Sequence, residues 1–155
     1  MTKFNALFLL RFALVTCVPF CVALGCASPK PVASTADLKR LGTRDYPDRK
    51  PEEVTQGVVT ALKVLGYEVV TTQPRIRTAP KAVATSAYGY GGTAQAFTES
   101  VAWDIDVESR GSGTVLHAQA RASVNGEPME QVYLSWAERS FGELMTEIDA
   151  SLGTR

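Results

Sequence analysis

The sequence predicts an α+β fold, and three features of the stretch after residue 50 carry that expectation. An amphipathic helical segment opens at Pro51. Two long alternating segments face each other across Arg110-Gly111-Ser112-Gly113, and a second amphipathic helical segment lies near the end of the chain. A run of strands flanked by helices buries its apolar surface most simply in two layers. The expected order is α-β-β-β-β-α: a two-layer sandwich, with a four-stranded, mainly antiparallel sheet carrying two helices on one face.

The first helix starts at Pro51-Glu52-Glu53. Proline suits the first helical turn, and acidic residues there complement the positive end of the helix dipole. Val54, Val58, Ala61, Leu62 and Leu65 recur on one helical face, and Gly66 supplies the stop. Tyr67–Thr72, rich in β-branched residues, is the first strand candidate, and Arg75 to Ser86 is the second. The third, Phe97–Glu108, alternates: Phe97, Val101, Trp103, Ile105 and Val107 face one way, and Thr98, Ser100, Asp104, Asp106 and Glu108 the other. The fourth, Thr114–Val124, sets Leu116, Ala118, Ala120, Ala122 and Val124 against His117, Gln119 and Arg121.

A turn centred on Gly111-Ser112 fixes the register of the last two strands. Trp103 then faces Ala120, Ile105 faces Ala118, and on the open face Asp106 meets His117. Bulky residues meet small ones, and both apolar faces coincide; a slip of one residue turns one apolar set into water. In the final helix, Ser135-Trp136-Ala137-Glu138 fits a capping box. Ala137, Phe141, Leu144, Met145, Ile148 and Leu152 line one face, Gly153 ends it, and Trp136 falls just off the stripe, at an exposed position.

The first 50 residues have a different character. Lys3 and Arg11 are the only charged residues before Lys30, and Phe12 to Gly25 is uncharged and largely apolar. A basic start, a short apolar run and small residues before a break describe a secretory signal. A membrane-spanning helix needs roughly 20 apolar residues. The run here is shorter and carries Pro19, and extending it backward places Arg11 in hydrocarbon. From Ala27 to about Lys50 the chain is rich in Pro, Ser, Ala and charge, which reads as a flexible tether with a reach of about 25–30 Å. Leu38 and Leu41 have the spacing of a short helical turn. The chain thus divides into a cleaved signal (1–25), a lipid-bearing N-terminus with tether (26–50) and one α+β domain (51–155).

Val22-Ala23-Leu24-Gly25-Cys26 resembles the bacterial lipobox, with Ala23 where leucine is usual. The resemblance implies cleavage before Cys26 and attachment of acyl chains to its thiol and amino group. Several acyl chains anchor a protein firmly where one binds marginally. Ala27, which is not aspartate, implies sorting to the outer membrane by the rule of proteobacterial lipoproteins, with the domain facing the periplasm. The element order from about Pro51 to Leu152 resembles the helix-grip domains of accessory lipoproteins in the outer-membrane β-barrel assembly machinery. No residue motif carries a specific function across.

Composition narrows the chemistry. All three cysteines lie at or before position 26, so the domain has no thiol for a disulfide, metal site or nucleophile. Acidic and basic residues are 16 each, and removing Lys3 and Arg11 with the signal leaves a slight acidic excess. That balance gives no support to nucleic-acid binding. His117 is the single histidine. Opposite Asp106 it makes an acid–base pair, which needs a nucleophile such as Ser100 or Ser123 nearby. Asp104, Asp106 and Glu108 are strung along a strand rather than converging on a cation, so no metal and no cofactor is expected. Arg75, Arg77 and Lys81 share one strand face and are expected to meet those acidic residues across the sheet, as a charged surface open to a partner. Tyr88-Gly89-Tyr90-Gly91-Gly92 reads as a long connection with two tyrosines at its tip and lacks the spacing of a nucleotide fingerprint. The expectation is a non-catalytic, lipid-anchored envelope protein that binds an envelope partner, with Tyr88, Tyr90, Arg75, Arg77 and Lys81 as candidate contacts. The alternatives are a periplasmic small-ligand binder with a cavity near Trp103 and a cell-wall-acting enzyme using His117.

Overall fold

The computed structural model describes residues 29–90 and 93–153; for residues 88–90 and 93–94 it describes the backbone. The expected signal (1–25), Cys26 and Ala27 lie outside the described residues. In chain order the elements are α1 (Thr35–Gly42), β1 (Thr43–Tyr46), α2 (Pro51–Val64), β2 (Val69–Thr71) and β3 (Ile76–Thr78). They continue with β4 (Lys81–Tyr90), β5 (Thr93–Arg110), β6 (Gly113–Val124), β7 (Glu127–Pro128) and α3 (Leu134–Ser151).

The sheet is built around β5 and β6, which pair antiparallel with Trp103 opposite Ala120, Ile105 opposite Ala118 and Asp106 opposite His117. The turn position sets this register: Gly111 adopts φ +62°, a conformation glycine reaches without steric cost. Along the other edge of β5, β3 and then β4 follow one another; β2 flanks β3, and β1 and β7 share the outer edge of β6. Every pairing is antiparallel.

The fold is therefore α+β, as expected, but with seven strands instead of four and three helices instead of two among the described residues. Two causes account for the difference. The expected strand from Arg75 to Ser86 is interrupted at Ala79-Pro80, because proline has no N–H to give a ladder. At this break the Thr78 hydroxyl accepts the Trp103 backbone N–H at 2.9 Å. The second cause lies in the stretch expected to be a tether, which supplies α1 and β1. Ser34 caps α1: its Oγ accepts the Asp37 N–H at 3.1 Å, and its own N–H donates to the Asp37 carboxylate at 3.1 Å. β1 is a four-residue edge strand whose one buried side chain is Tyr46.

The expected boundaries of α2 hold: Pro51 opens it, and Gly66 at φ +76° follows its end, with the Tyr67 N–H donating to Leu62 O at 2.8 Å. The start of α3 differs. Tyr133 occupies the cap, no side-chain capping bond forms, and the Ser135–Glu138 box is not used. Its first N–H, from Leu134, instead donates to Pro31 O at 2.9 Å. Val32 bridges Tyr133, and the Ala33 N–H donates to Val132 O at 2.9 Å, so an N-terminal segment has replaced the local cap.

The core fills the space between the sheet and α2 and α3. Trp103, 1 % exposed, receives Phe141 edge-on at 5.1 Å and Tyr67 edge-on at 6.4 Å between ring centroids. Val54, Val58 and Leu62 from α2 and Leu144 and Ile148 from α3 complete it. At the far end of α3, Asp149 accepts the Tyr46 hydroxyl at 3.0 Å and pairs with Arg44. Arg49 donates to Leu152 O at 2.7 Å, while its own carbonyl accepts the Thr114 hydroxyl at 2.7 Å. This cluster fastens β1 and the loop before α2 to both α3 and β6.

Burial, reinforced by the Asp149 charge, pushes the Tyr46 hydroxyl above the usual tyrosine range. A group whose pKa rises on folding contributes stability below its unfolded value, near 10, and loses it as pH climbs toward the folded value. Tyr46→Phe should lose about 1–2 kcal/mol at neutral pH, and should unfold with a smaller alkaline decline above pH 10 than the parent in urea titrations. Two glycines give opposite expectations. A Cβ on Gly42 meets the Ala118 carbonyl and lies 3.0 Å from Phe141 Cε1, whereas one on the exposed Gly142 meets nothing. Urea denaturation should show Gly42→Ala destabilised by about 1–3 kcal/mol and Gly142→Ala stabilised by about 0.5–1 kcal/mol.

Candidate functional site

Three surfaces qualify, and the alternation of β5 generates the first. Its residues that point away from the helices meet arginines from both sides. Arg75 Nε lies 2.6 Å from Asp106 Oδ1, and Asp104 is shared between Arg77 Nε at 3.5 Å and Arg121 Nε at 3.1 Å. Arg75 and Arg77 thus meet the acidic stripe as expected. Lys81 does not. Lys81 is four positions after Arg77, but their partners Asp104 and Val101 are only three positions apart, so one extra residue inverts the alternation. Lys81 consequently lies on the helix side, where its ammonium donates to Leu65 O and sits 4.9 Å from the centre of the Tyr67 ring.

The residues considered for acid–base chemistry are engaged separately. Thr43 Oγ1 donates its one proton to Lys39 O at 2.8 Å, so at its 3.2 Å contact with His117 Nδ1 the ring nitrogen is the donor. Arg75 occupies Asp106. Ser123 lies six residues along the strand from His117, a distance of about 20 Å, and Ser100 pairs beside Ser123. These groups do not converge. No three His, Cys, Asp or Glu side chains gather as metal ligands among the described residues.

The second surface is a groove beside β6. Strand β1 covers Thr114–His117 and β7 covers Ser123–Val124, leaving Ala118 to Ala122 without a strand on that side. A groove of about 1010 Å³ runs there, lined by Val32, Leu38, Met129, Trp136, Phe141 and the β6 alanines. Trp136, expected to be exposed, is half-buried in this wall. A shallower depression of about 570 Å³ involves Thr55, Pro74, Ile76 and Val107. Trp103 lines neither, because Tyr67 and Phe141 fill its surroundings.

The third surface is a β-ribbon. The Tyr88–Gly92 segment was expected to be a connection; Gly91 and Gly92 lie outside the described residues, but β4 continues to Tyr90, with Tyr88 opposite Gln95 and Tyr90 opposite Thr93. β6 stops at Val124 opposite Glu99, so β4 and β5 run on beyond it as a two-stranded arm about 17–20 Å long. Asn125, at φ 51°, closes its root by exchanging two 2.9 Å hydrogen bonds with the Thr98 backbone. Between Lys81 and Glu99 the sequence has no charged residue. The Gly91-Gly92 pair between two β-prone stretches is the sequence signal that points to a hairpin here; the density of glycine obscured it.

No family model matches the chain, and no significant match appears among the curated proteins. No helix among the described residues is long and apolar enough to cross a membrane.

Asp104 sits between two guanidinium groups and offsets their repulsion, so Asp104→Asn should lose about 0.5–1 kcal/mol in dilute buffer. Urea titrations repeated in 1 M NaCl should show most of that loss gone, because the arginine repulsion it exposes is screened.

Proposed function

We propose that this chain is a lipid-anchored protein of the bacterial outer membrane, tethered through Cys26 with its domain facing the periplasm. In this reading it acts by binding another envelope component, without catalysis. The observation that carries the interaction is the uncharged β4–β5 ribbon. Exposed strand edges are ordinarily guarded by charge, proline or shortness, since unpaired N–H and C=O groups invite a further strand. This arm has none of those guards between Lys81 and Glu99. It suits a partner that adds a strand or grips the tip, with Tyr88 and Tyr90 as contacts and Arg75 and Arg77 farther along the sheet, on Asp106 and Asp104. Support for the anchor comes from the Val22–Cys26 resemblance.

In-cell crosslinking of the tagged protein, followed by mass spectrometry, tests the interaction, with Tyr88→Ala/Tyr90→Ala as the comparison. A reproducible partner should appear with the parent and disappear with the variant. A partner kept by the variant removes the ribbon tip from the reading, and no partner at all overturns it. Radiolabelled palmitate should enter the parent and not Cys26→Ser; a parent without label ends the anchor reading.

A second reading, a small-ligand binder, is favoured by the groove beside β6, whose walls are largely apolar and whose floor is small alanines.

A further inference from the structure

Six large hydrophobic side chains stand exposed among the described residues, and three of them, Val32, Met129 and Tyr133, belong to one region. Val32 is 45 % exposed, Met129 37 % and Tyr133 51 %. Val32 is bridged to Tyr133, and Val32 and Met129 border the same groove. The other three, Val64, Val70 and Val83, belong to α2, β2 and β4. Lys30 completes the cluster, its ammonium 5.8 Å from the centre of the Tyr133 ring. An aromatic with a polar tip, a lysine able to extend its amine into water, and flanking apolar side chains form the combination that settles at a membrane–water boundary.

The chain leading into this cluster identifies its occupant. Val32 is six residues from Cys26, a span of at most about 20 Å even when fully extended. The chain is fastened from Pro31 onward by the bonds to Val132, Tyr133 and Leu134. A lipid on Cys26 therefore leaves this cluster, and no other exposed apolar group in the described residues with so short a lead, within one extended segment of the bilayer. Glu130 is the exposed acid within the cluster and Lys39 the basic group on its α1 side. With Lys30 they leave a single net positive charge, so the attraction rests on apolar burial more than on headgroup charge.

We propose that Lys30, Val32, Met129 and Tyr133 form a bilayer-docking surface that holds the domain against the membrane in one orientation. This inference rests on the reading of Cys26 as lipidated. It replaces a domain swinging on a long tether with one whose groove wall and α3 start lie at the headgroups, leaving the rest of the sheet to partners.

The test uses lipid-bearing protein purified from cells expressing the full chain and reconstituted in phosphatidylethanolamine–phosphatidylglycerol vesicles with brominated acyl chains. Trp136, in the wall of the same groove, reports proximity; Trp103 is buried and serves as a constant background. Bromines near the headgroups should quench a substantial part of the emission, and Trp136→Phe should remove the quenched component. Val32→Ser/Tyr133→Ser should lose the quenching with its lipid mass unchanged and its circular dichroism intact. Equal quenching in parent and variant overturns the proposal, as does an unquenched parent whose copies crosslink through Tyr133, which gives the patch to a second copy. A mass without lipid refutes the Cys26 reading separately. Docking is then read on the chain from Cys26 onward, coupled through that single thiol to a maleimide lipid; quenching there sustains the surface, and its absence overturns it.

Discussion

The pairing of large with small side chains across β5 and β6 is the constraint on which the rest of the fold depends. Trp103 over Ala120 and Ile105 over Ala118 leave a hollow on the small side of the ladder. Phe141 fills it from α3, its ring edge-on to Trp103. Gly42 approaches the same place so closely that the Ala118 carbonyl leaves no room for a side chain. α1 and α3 thus converge on one alanine. Close-packed interiors respond to single methyl groups, so the missing Cβ at Gly42 is what lets the N-terminal helix come this near to the β6 backbone.

The legible parts of the sequence were those whose signal is local and long. Strands β5 and β6 alternate over enough residues, about a turn of defined type, that their register followed without knowledge of the fold. The α2 boundaries followed from Pro51 and Gly66. What escaped was set by tertiary partners. Ser135 has the form of a cap, yet Pro31 supplies the acceptor for the Leu134 N–H from a hundred residues away, and the helix begins earlier. β1 is Thr-Arg-Asp-Tyr, too short and too polar to show a period, because as an edge strand it buries only Tyr46. The site was legible in the same uneven way. Arg75 and Arg77 met Asp106 and Asp104 because a plain ladder connects them, whereas Lys81 was lost to an extra residue between Arg77 and Lys81 that inverts the alternation there. A second shift between Ala82 and Ala84 inverts the pattern again before the ribbon begins.

The edges of the sheet are treated unequally. β2 is three residues long, β7 two, and β1 carries the exposed charges of Arg44 and Asp45. These are ordinary ways of discouraging unwanted strand pairing. The ribbon is long, uncharged and paired only within itself beyond Thr98. A two-stranded ribbon is marginal in water without a third strand or a packed face. Stability of the domain does not account for such an arm, since the core closes without it. Its length and composition are what the proposed reading assigns to a binding partner.

The N-terminal segment changes what a lipid on Cys26 can do. A tether of two dozen residues decouples a domain from its membrane, and the anchor then fixes only location. Here residues 31–33 are laced to 132–134, α1 packs on β6, and β1 extends the sheet, so little slack remains ahead of the fold. A short lead transmits orientation as well as position, because the domain loses rotational freedom once its first fastened residue is near the surface. The entropy lost in that restriction is small if an apolar patch at the same spot is buried in exchange, and Val32, Met129 and Tyr133 provide one. Anchor and patch then act as two attachments on one rigid body, and a second attachment on a short linker acts at high effective concentration. On the proposed reading, a ribbon carried by a domain fixed in this way would meet a partner at a set height and direction from the membrane, which a swinging domain does not achieve.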